Sequence, residues 1–381
     1  MNRLTLAVMV AAVALCGEAK IPTEPTLVLD LPPSADNCRN SEGDFIRLKD
    51  GGIMLVYSHY LKGTGDDGDH AVLASRFSWD GGLTWSKDDG IIVANEGTQN
   101  VMCVSLLRRK DGSIALFYIR KNSDLDCRPL MRISRDEGRT WAKPIAVIPD
   151  SEIGYYVLEN HRVERLKSGR LAMAMSVHAY LGSKEPGFSC WLVCYVSDDD
   201  GLTWRRSQKP WPVLDGEGKR VTVQEPGLIE LKDGRVMLYA RTDRGRQWFF
   251  YSSDECETWT KGEPGSLFGP LAPAKIIRLR NGDLLAFWND HERYPQYAKA
   301  GPKWAFGART PCTLGISRDE GKTWPARLDI EADPNGWYCY PAILEMDGYL
   351  LVEYVCVSPS DPKKSNLERS VVKLVPIDCI K

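Results

Sequence analysis

The residues best suited to chemistry in this chain stand at the starts of apolar runs. Each of these runs is followed by a glycine turn and a second apolar run. Carboxyl groups transfer protons, and guanidinium groups bind carboxylates through a charged bidentate fork. A chain built only for packing would not need so polar a set here, so the pattern predicts a pocket where the starts of the runs meet. The residues are Arg39, Glu42, Asn100, His161, Arg162, Glu225, Lys275 and Tyr340.

The apolar runs form a repeat that occurs six times. In each copy, two apolar or alternating stretches flank Asp-Gly, Asn-Gly or Ser-Gly, a pattern typical of two strands joined by a tight turn. The copies are DFIRLKDGGIMLVYS (from Asp44), VSLLRRKDGSIALFY (from Val104), RVERLKSGRLAMAMS (from Arg162), GLIELKDGRVMLYAR (from Gly227), KIIRLRNGDLLAFWN (from Lys275) and AILEMDGYLLVEYV (from Ala342).

Five of the six copies are followed by an eight-residue box, Ser-x-Asp-x-Gly-x-Thr-Trp. The Asp can accept hydrogen bonds from the backbone of the turn, the Gly permits a positive φ, and the Trp can pack between sheets. The fourth box carries Cys256 in place of the glycine, so this residue must adopt the same backbone or distort it. The boxes begin at Ser78, Ser134, Ser197, Ser252 and Ser317.

Repeats of this length predict an all-β, six-bladed β-propeller formed by residues 21–381. The sixth unit lacks a box. We expect it to be closed by an N-terminal strand around Thr26–Leu31 together with the C-terminal run SVVKLVPI, because a ring closed by both termini leaves no free sheet edge. No stretch of the chain has the 3.6-residue period of a long helix.

The box resembles the Asp-box of the sialidase (neuraminidase) superfamily, particularly of its bacterial BNR-repeat branch. The resemblance covers roughly the whole chain after residue 20, and it implies a propeller with five Asp-box hairpins. It is weakly specific for activity, because Asp-boxes lie on the rim of the propeller and also occur in propellers that are not sialidases.

The resemblance implies a retaining glycoside hydrolase. A sialoside carries a carboxylate on its anomeric carbon, which would repel a carboxylate nucleophile. Enzymes of this family therefore use a Tyr hydroxyl activated by a Glu, an Asp as the general acid and base, and arginines that clamp the substrate carboxylate.

Two catalytic positions match family segments on strands. Glu225 stands in VTVQEPGLIEL, which is similar to the segment whose Glu partners the Tyr, and Arg241 resembles the second clamp arginine. Tyr340 in WYCYPAILE resembles the segment that supplies the nucleophile, with Tyr338 as an alternative.

The third catalytic position falls in a glycine-rich loop. Asp69 in GTGDDGDHAV looks like the family's acid/base, while Asp66 and Asp67 compete for the role. A flexible loop suits a proton donor that must meet the leaving-group oxygen. His70 is expected to orient the Asp or to contact the substrate.

The arginine clamp matches only in part. Where the family carries its first arginine this chain reads CRNSEGDFIRL, so Glu42 or its neighbour falls at that place and Arg39 is the nearest substitute. The third arginine has no clear counterpart, and Arg162 and Lys275 are the nearest cations. Losing a bidentate partner of a charged ligand group costs roughly 2–5 kcal/mol, so the substrate could be another acidic sugar.

The sequence therefore supports three candidate functions. The first is an exported exo-glycosidase that hydrolyses terminal sialic acid or a related acidic sugar with retention. The second is a propeller glycosidase or lyase acting on another acidic glycan, which the polar residues around His161 and Glu42 favour. The third is a propeller that binds glycans without catalysis. The partner in each case is a glycan or glycoconjugate.

Composition agrees with a glycan-processing protein rather than a nucleic-acid-binding one. The chain has 381 residues, 43% of them hydrophobic and 26% charged, and a net charge of −2, so it lacks the basic excess of a nucleic-acid binder. Residues 1–20 are interpreted as a signal peptide, with lipid attachment at Cys16 as the less favoured alternative. No later segment is apolar enough to cross a membrane.

Ten cysteines follow residue 20, an even number that permits disulfides in an exported protein. Most are interpreted as small buried hydrophobes, because several stand in strand-like runs. No sequence motif for a cofactor or a metal ion occurs.

Overall fold

The computed structural model describes residues 21–357 and 367–381, so the proposed signal peptide and Cys16 lie outside the described residues. The prediction of an all-β chain is confirmed, since the described part holds strands and four short 3₁₀ segments. None of its helical segments is long and apolar enough to span a bilayer. The 3₁₀ segments are Asp150–Glu152, Pro295–Lys299, Lys303–Ala305 and Ile377–Cys379.

Each of the six sequence repeats forms an antiparallel strand pair, and further strands extend it outward. The first three units comprise β2 (Arg39–Arg47), β3 (Ile53–Tyr60), β4 (Ala71–Ser78) and β5 (Gly90–Val93); then β6 (Asn100–Arg108), β7 (Ile114–Ser123), β8 (Asp126–Ser134) and β9 (Ile145–Ala146); then β11 (Val163–Arg165), β12 (Leu171–Ala179), β13 (Trp191–Ser197) and β14 (Arg205–Arg206).

The last three units are built in the same way. They comprise β15 (Val223–Glu230), β16 (Val236–Thr242), β17 (Arg246–Ser252) and β18 (Glu263–Phe268); then β19 (Lys275–Arg278), β20 (Leu284–Trp288), β21 (Cys312–Ser317) and β22 (Ala326–Glu331); then β23 (Tyr338–Glu345), β24 (Tyr349–Cys356), β25 (Arg369–Pro376) and the N-terminal β1 (Thr26–Leu31). A short strand, β10 (Tyr155–Val157), pairs with both β8 and β12 and so joins the second and third units into one sheet.

The sixth unit is closed by both ends of the described chain. β1 pairs antiparallel with β25, with Thr26 opposite Leu374 and Leu31 opposite Ser370, as the sequence predicted. The first strand of each unit contacts the first strand of the next, and β23 of the last unit contacts β2 of the first. Clusters of apolar residues fill the spaces between neighbouring sheets.

The five boxes fold into turns with one hydrogen-bonding pattern. In the second box, the Ser134 hydroxyl donates to Asp136 and accepts the backbone N–H of Gly138, while Asp136 accepts both the N–H and the hydroxyl of Thr140. Cys256 keeps the same bond to Ser252 at 2.9 Å with φ +73°. The fourth box therefore tolerates a cysteine in the left-handed region without losing its turn.

Four of the first strands contain a β-bulge, and each bulge holds a non-glycine residue in the left-handed region. These residues have φ between +45° and +60°, a conformation that costs about 1–2 kcal/mol for an L-residue. Such strain is retained where it directs a side chain to a particular place. The residues are Glu42, Cys103, Glu225 and Tyr340.

Candidate active site

All four bulge residues line one cavity of about 530 Å³ at the starts of the first strands. The bulges turn these side chains toward a common centre, and loops that follow other strands complete the wall. The polar residues of the lining are Arg39, Glu42, Asp66, Asp67, Glu159, His178, Gln224, Glu225, Arg241, Arg309 and Tyr340. The cavity therefore holds acids, bases and cations together.

Tyr340, Glu225 and Arg241 form a connected group in this cavity, and each is only 8% exposed. The Tyr340 hydroxyl donates to Glu225 Oε1 at 3.4 Å, and Arg241 Nη1 lies 2.8 Å from Glu225 Oε2. Arg241 Nη2 also donates to Gln224 at 2.6 Å. Tyr338, the alternative nucleophile, lies outside the cavity lining and packs against Tyr354 in the core.

Burial raises the pKa of Tyr340 well above its usual value, and the negative charge of Glu225 raises it further. Arg241 and Arg309 oppose this shift without cancelling it. The hydroxyl is therefore protonated at neutral pH, and Glu225 is the carboxylate within reach of its proton.

Arg309 is a cavity residue that sequence reasoning missed. Its guanidinium lies 5.6 Å from the centre of the Tyr340 ring and 5.0 Å from that of Trp337, and Nη2 donates to the carbonyl of Leu271 at 3.1 Å. It precedes β21, the third strand of its unit, whereas cations were sought before the first strands. The signal available was the Ala-Arg-Thr-Pro run directly before the apolar strand CTLGIS.

Arg39 lies in the cavity wall, but protein groups occupy its guanidinium. Arg39 is 1% exposed, and its Nη2 donates to Glu42. Nε donates to Ser41 at 2.8 Å, and Nη1 donates to the Gly65 carbonyl at 3.2 Å and to Asp67 Oδ1 at 2.6 Å. This arrangement differs from the expected substrate clamp, because the charge of Arg39 is shared between two carboxylates.

The acidic loop presents Asp66 and Asp67, and not Asp69, to the cavity. Asp69 lies outside the lining because its carboxylate turns back into its own loop, where it accepts the N–H groups of Thr64, Gly65 and Asp66 at 2.6–3.2 Å. His70 is also outside the lining, with Nδ1 3.0 Å from the Asn95 amide. Three Asp residues within four positions could not be told apart before the loop conformation was known.

The cavity wall acts to raise the pKa of Asp67, although 56% of its side chain is exposed, and the Arg39 guanidinium outweighs this effect, so the pKa of this carboxyl lies below its usual value. Lys121 and Arg241 act in the same direction. Arg39 therefore favours the ionised form of Asp67.

His161, Arg162 and Lys275 do not line this cavity. Lys275 Nζ donates to the His161 carbonyl and to Glu164, and Arg162 Nη2 donates to the Ala274 carbonyl at 2.7 Å. His161 instead lines a second cavity of about 440 Å³, whose walls include the last residues of the first strands, such as Glu230 and Glu345. Lys275 and Arg162 therefore join the third unit to the fifth.

Glu159 is a second cavity residue that sequence reasoning missed. It precedes Asn160 and His161 outside any strand, and it is 4% exposed. Its Oε1 accepts the N–H of Asn160 at 3.0 Å. Burial, together with the nearby charges of Glu225 and Glu42, raises the pKa of Glu159 to about 8.

The cysteines do not contribute disulfides in the part of the chain that the structure describes. All ten described cysteines are free thiols, and eight of them are buried. This agrees with their interpretation as small core residues.

The profile of the BNR repeat-like domain family matches residues 60–352 of this chain. A sialidase from Micromonospora viridifaciens is 24% identical over 306 residues, which cover 72% of this chain and 44% of that protein. The chain thus spans less than half the length of this curated relative.

Solved structures share the fold at low identity. A protein of unknown function from Dyadobacter fermentans has a TM-score of 0.69 at 20% identity, covering 93% of this chain and 100% of its own. A sialidase from Streptococcus pneumoniae has a TM-score of 0.68 at 15% identity, and the match covers 93% of this chain and 71% of that chain. A Trypanosoma rangeli sialidase has a TM-score of 0.66 at 15% identity, and the match covers 91% of this chain and 56% of that chain. The repeats, the all-β sheets and these matches together show that the chain belongs to the BNR-repeat branch of the sialidase superfamily and has its propeller fold.

Proposed function

We propose that this protein is a retaining glycoside hydrolase that removes a terminal acidic sugar of the sialic acid type, with Tyr340 as its nucleophile. The observation that carries the proposal is the buried contact between the Tyr340 hydroxyl and Glu225, beside Arg241 and Arg309. A neutral hydroxyl can approach an anomeric carbon that bears a carboxylate, whereas a carboxylate nucleophile would be repelled.

In the first step, Tyr340 Oη attacks the anomeric carbon while Glu225 accepts the hydroxyl proton. The bond to the leaving-group oxygen breaks, and Asp67, which has taken up a proton from solvent as the substrate binds, donates that proton to the oxygen. In the second step, ionised Asp67 takes a proton from a water molecule that attacks the same carbon. The bond to Tyr340 then breaks, and Glu225 returns its proton to the phenolate.

Asp67 is preferred to Asp66 and Asp69 as the acid and base in this proposal. Asp67 lines the cavity and pairs with Arg39, whereas the carboxylates of Asp66 and Asp69 accept hydrogen bonds within their own loop. Arg241 and Arg309 are proposed to hold the substrate carboxylate, since both line the cavity beside Tyr340. Arg39 is assigned no direct substrate contact, because its guanidinium is shared by Glu42 and Asp67.

The decisive experiment is incubation of the purified protein with an aryl sialoside and with a panel of aryl glycosides of other acidic and neutral sugars. We expect turnover of sialosides or of other acidic sugars that carry the carboxylate on the anomeric carbon. Tyr340→Phe should abolish it, and 2,3-difluorosialic acid should add covalently to the native chain at Tyr340. Unchanged turnover by Tyr340→Phe would show that the nucleophile is another residue.

The alternatives have distinct results in the same experiment. Release of a sugar that lacks an anomeric carboxylate, or release of an unsaturated product, would favour a different glycosidase or a lyase. Glycan binding with no turnover of any substrate would favour a binding propeller.

We also infer that the six units are six blades around one axis. The supporting observation is the series of contacts between first strands, from β2 through β6, β11, β15, β19 and β23 and back to β2. Export through residues 1–20 remains part of the proposal, as a glycosidase acting on external glycoconjugates would require.

A further inference from the structure

We propose that the cavity is specific for a zwitterionic sugar acid, whose carboxylate meets Arg241 and Arg309 and whose unacylated amino group pairs with Glu159. The inference rests on the proposed function for the position of the carboxylate. It adds the chemical class of a second substituent and a residue that recognises it.

The balance of charge in the cavity opposes a ligand that is only an anion. Five carboxyl groups line the cavity against three guanidinium groups. Arg39 is already shared by Glu42 and Asp67, and Arg241 is paired with Glu225. The carboxyl groups of the cavity outnumber its guanidinium groups, so a zwitterion, which brings its own cation, fits this set of groups better than a sugar that is only an anion.

Glu159 is the buried carboxyl group of the cavity lining for which the described residues supply no ion-pair partner. No ion pair found within residues 21–357 and 367–381 includes it, and the charge of Arg162 lowers its pKa only in part. Because burying a charge without a paired partner is costly, the carboxyl group holds a proton. The neighbouring Asn160 amide donates to the carbonyls of Tyr340 at 3.2 Å and Gly43 at 2.8 Å. The segment that carries Glu159 is therefore fastened to the strand of the proposed nucleophile.

Arg241 supplies an independent indication of a ligand in the same cavity. It is 8% exposed, yet its Nε has no hydrogen-bond partner among the described residues. A buried guanidinium N–H without an acceptor is expected to be satisfied by an anionic group. In this cavity, Arg241 thus has an N–H group without an acceptor, and Glu159 has no cation paired with it.

The proton held by Glu159 makes this arrangement measurable. Since burial, Glu225 and Glu42 raise its pKa to about 8, Glu159 is mostly protonated at pH 7. A bound ammonium group stabilises the carboxylate and lowers that pKa, so binding at pH 7 should release a proton. A hydroxyl or acetamido group at the same place carries no charge and should release none.

The first test compares three aryl glycosides that share one sugar-acid skeleton and one leaving group and differ at a single ring carbon, which carries an amino, a hydroxyl or an acetamido group. We expect kcat/KM for the amino glycoside to exceed the others by roughly tenfold to a hundredfold, the usual worth of a charged hydrogen bond. Glu159→Gln should remove this preference, whereas Glu217→Gln, at an exposed site, should keep it.

The second test uses Tyr340→Phe, so that nothing turns over, and titrates it with the methyl glycoside of the amino sugar acid in two buffers of different ionisation enthalpy at pH 7. Proton release that disappears on adding Glu159→Gln is the expected result. Preference for the acetamido or hydroxyl glycoside, a preference unaltered by Glu159→Gln, or binding without proton release would each overturn the inference. Proton release without turnover of any glycoside by the native protein would leave the subsite standing and overturn the hydrolytic function.

Discussion

At the scale of single residues, Arg39 shows how one side chain can change role with its surroundings. Its position near the family's first clamp arginine predicts a contact with the substrate, but Ser41, Glu42, Gly65 and Asp67 occupy its guanidinium. A guanidinium with four protein partners has little left to offer a ligand. We therefore regard Arg39 as a positioning residue that holds Asp67 at the cavity and favours its ionised form.

Removing this cation should change the pH dependence of catalysis. In Arg39→Met combined with Glu42→Gln, the pKa of Asp67 should rise, although Lys121 and Arg241 still act on it. A proton donor with a higher pKa stays protonated to higher pH, so the basic limb of the kcat/KM profile should move upward. The measurement is a pH–rate profile with an aryl glycoside whose leaving group is poor.

The paired substitution is chosen because Arg39→Met alone would leave the buried Glu42 carboxylate without a partner and would destabilise the fold. Arg39→Lys, which keeps the positive charge, serves as the control and should shift the profile less. A basic limb that stays in place in the double variant, with unfolding temperature preserved, would contradict the positioning role.

At the scale of elements, the loop of residues 61–70 uses Asp69 to hold its own conformation and presents Asp66 and Asp67 to the cavity. Asp69 fastens the loop by accepting three backbone N–H groups, and the Asn100 amide donates to the carbonyls of Asp67 and Asp69 at 2.8 and 2.9 Å. With both ends held, the Asp67 side chain projects into the cavity. The first strands work in a similar way, because their bulges direct Glu225 and Tyr340 to the same centre.

This division predicts different kinetics for two Asp-to-Asn changes. Asp67→Asn should lower turnover by roughly 10²–10⁴-fold on a glycoside with a poor leaving group, and by much less on an activated aryl glycoside that needs no proton. Asp69→Asn should lower both rates by a similar, smaller factor, because it loosens the loop without removing the acid. The measurement is the rate of each variant on the matched pair of substrates, which distinguishes loss of the acid from loosening of the loop. The reverse pattern would show that Asp69 is the acid.

At the scale of the whole molecule, the seam between the last and first units contains buried carboxyl groups. Glu353 on β24 is fully buried and accepts a hydrogen bond from Ser370 on β25, and the backbone of Gly43 on β2 also bonds to it. Burial raises the pKa of Glu353 to about 8 and that of nearby Asp44 to about 7. The closing seam is therefore most stable when these groups hold their protons.

The sign of the resulting pH dependence follows from linkage. The folded pKa of Glu353 lies above its unfolded value near 4.5, so its contribution is complete below that pH and is lost as pH rises through about 8. Each such group steepens the fall in unfolding free energy by up to about 1.4 kcal/mol per pH unit. Glu353→Gln, which is always neutral, should flatten the fall measured by urea denaturation at pH 5, 7 and 9.

Glu217→Gln, at an exposed position, should leave the slope as it is in the native protein. Equal slopes for Glu353→Gln and the native chain would mean that Glu353 is ionised in the fold at neutral pH.

The repeating sequence by itself determined the all-β class, the box turns and the pairing of Thr26–Leu31 with the C-terminal strand, because turn chemistry and apolar alternation are local properties. It also singled out Glu225, Arg241 and Tyr340, because the segments that carry them resemble segments of the sialidase superfamily. Only the tertiary structure decided that Arg309 and Glu159 line the same cavity as Glu225, Arg241 and Tyr340. It also decided that Asp67 lines this cavity and Asp69 does not, and that Arg162 and Lys275 lie outside its lining. The positions of these side chains depend on loop conformation and on which unit lies across the cavity. A local sequence pattern contains neither kind of information.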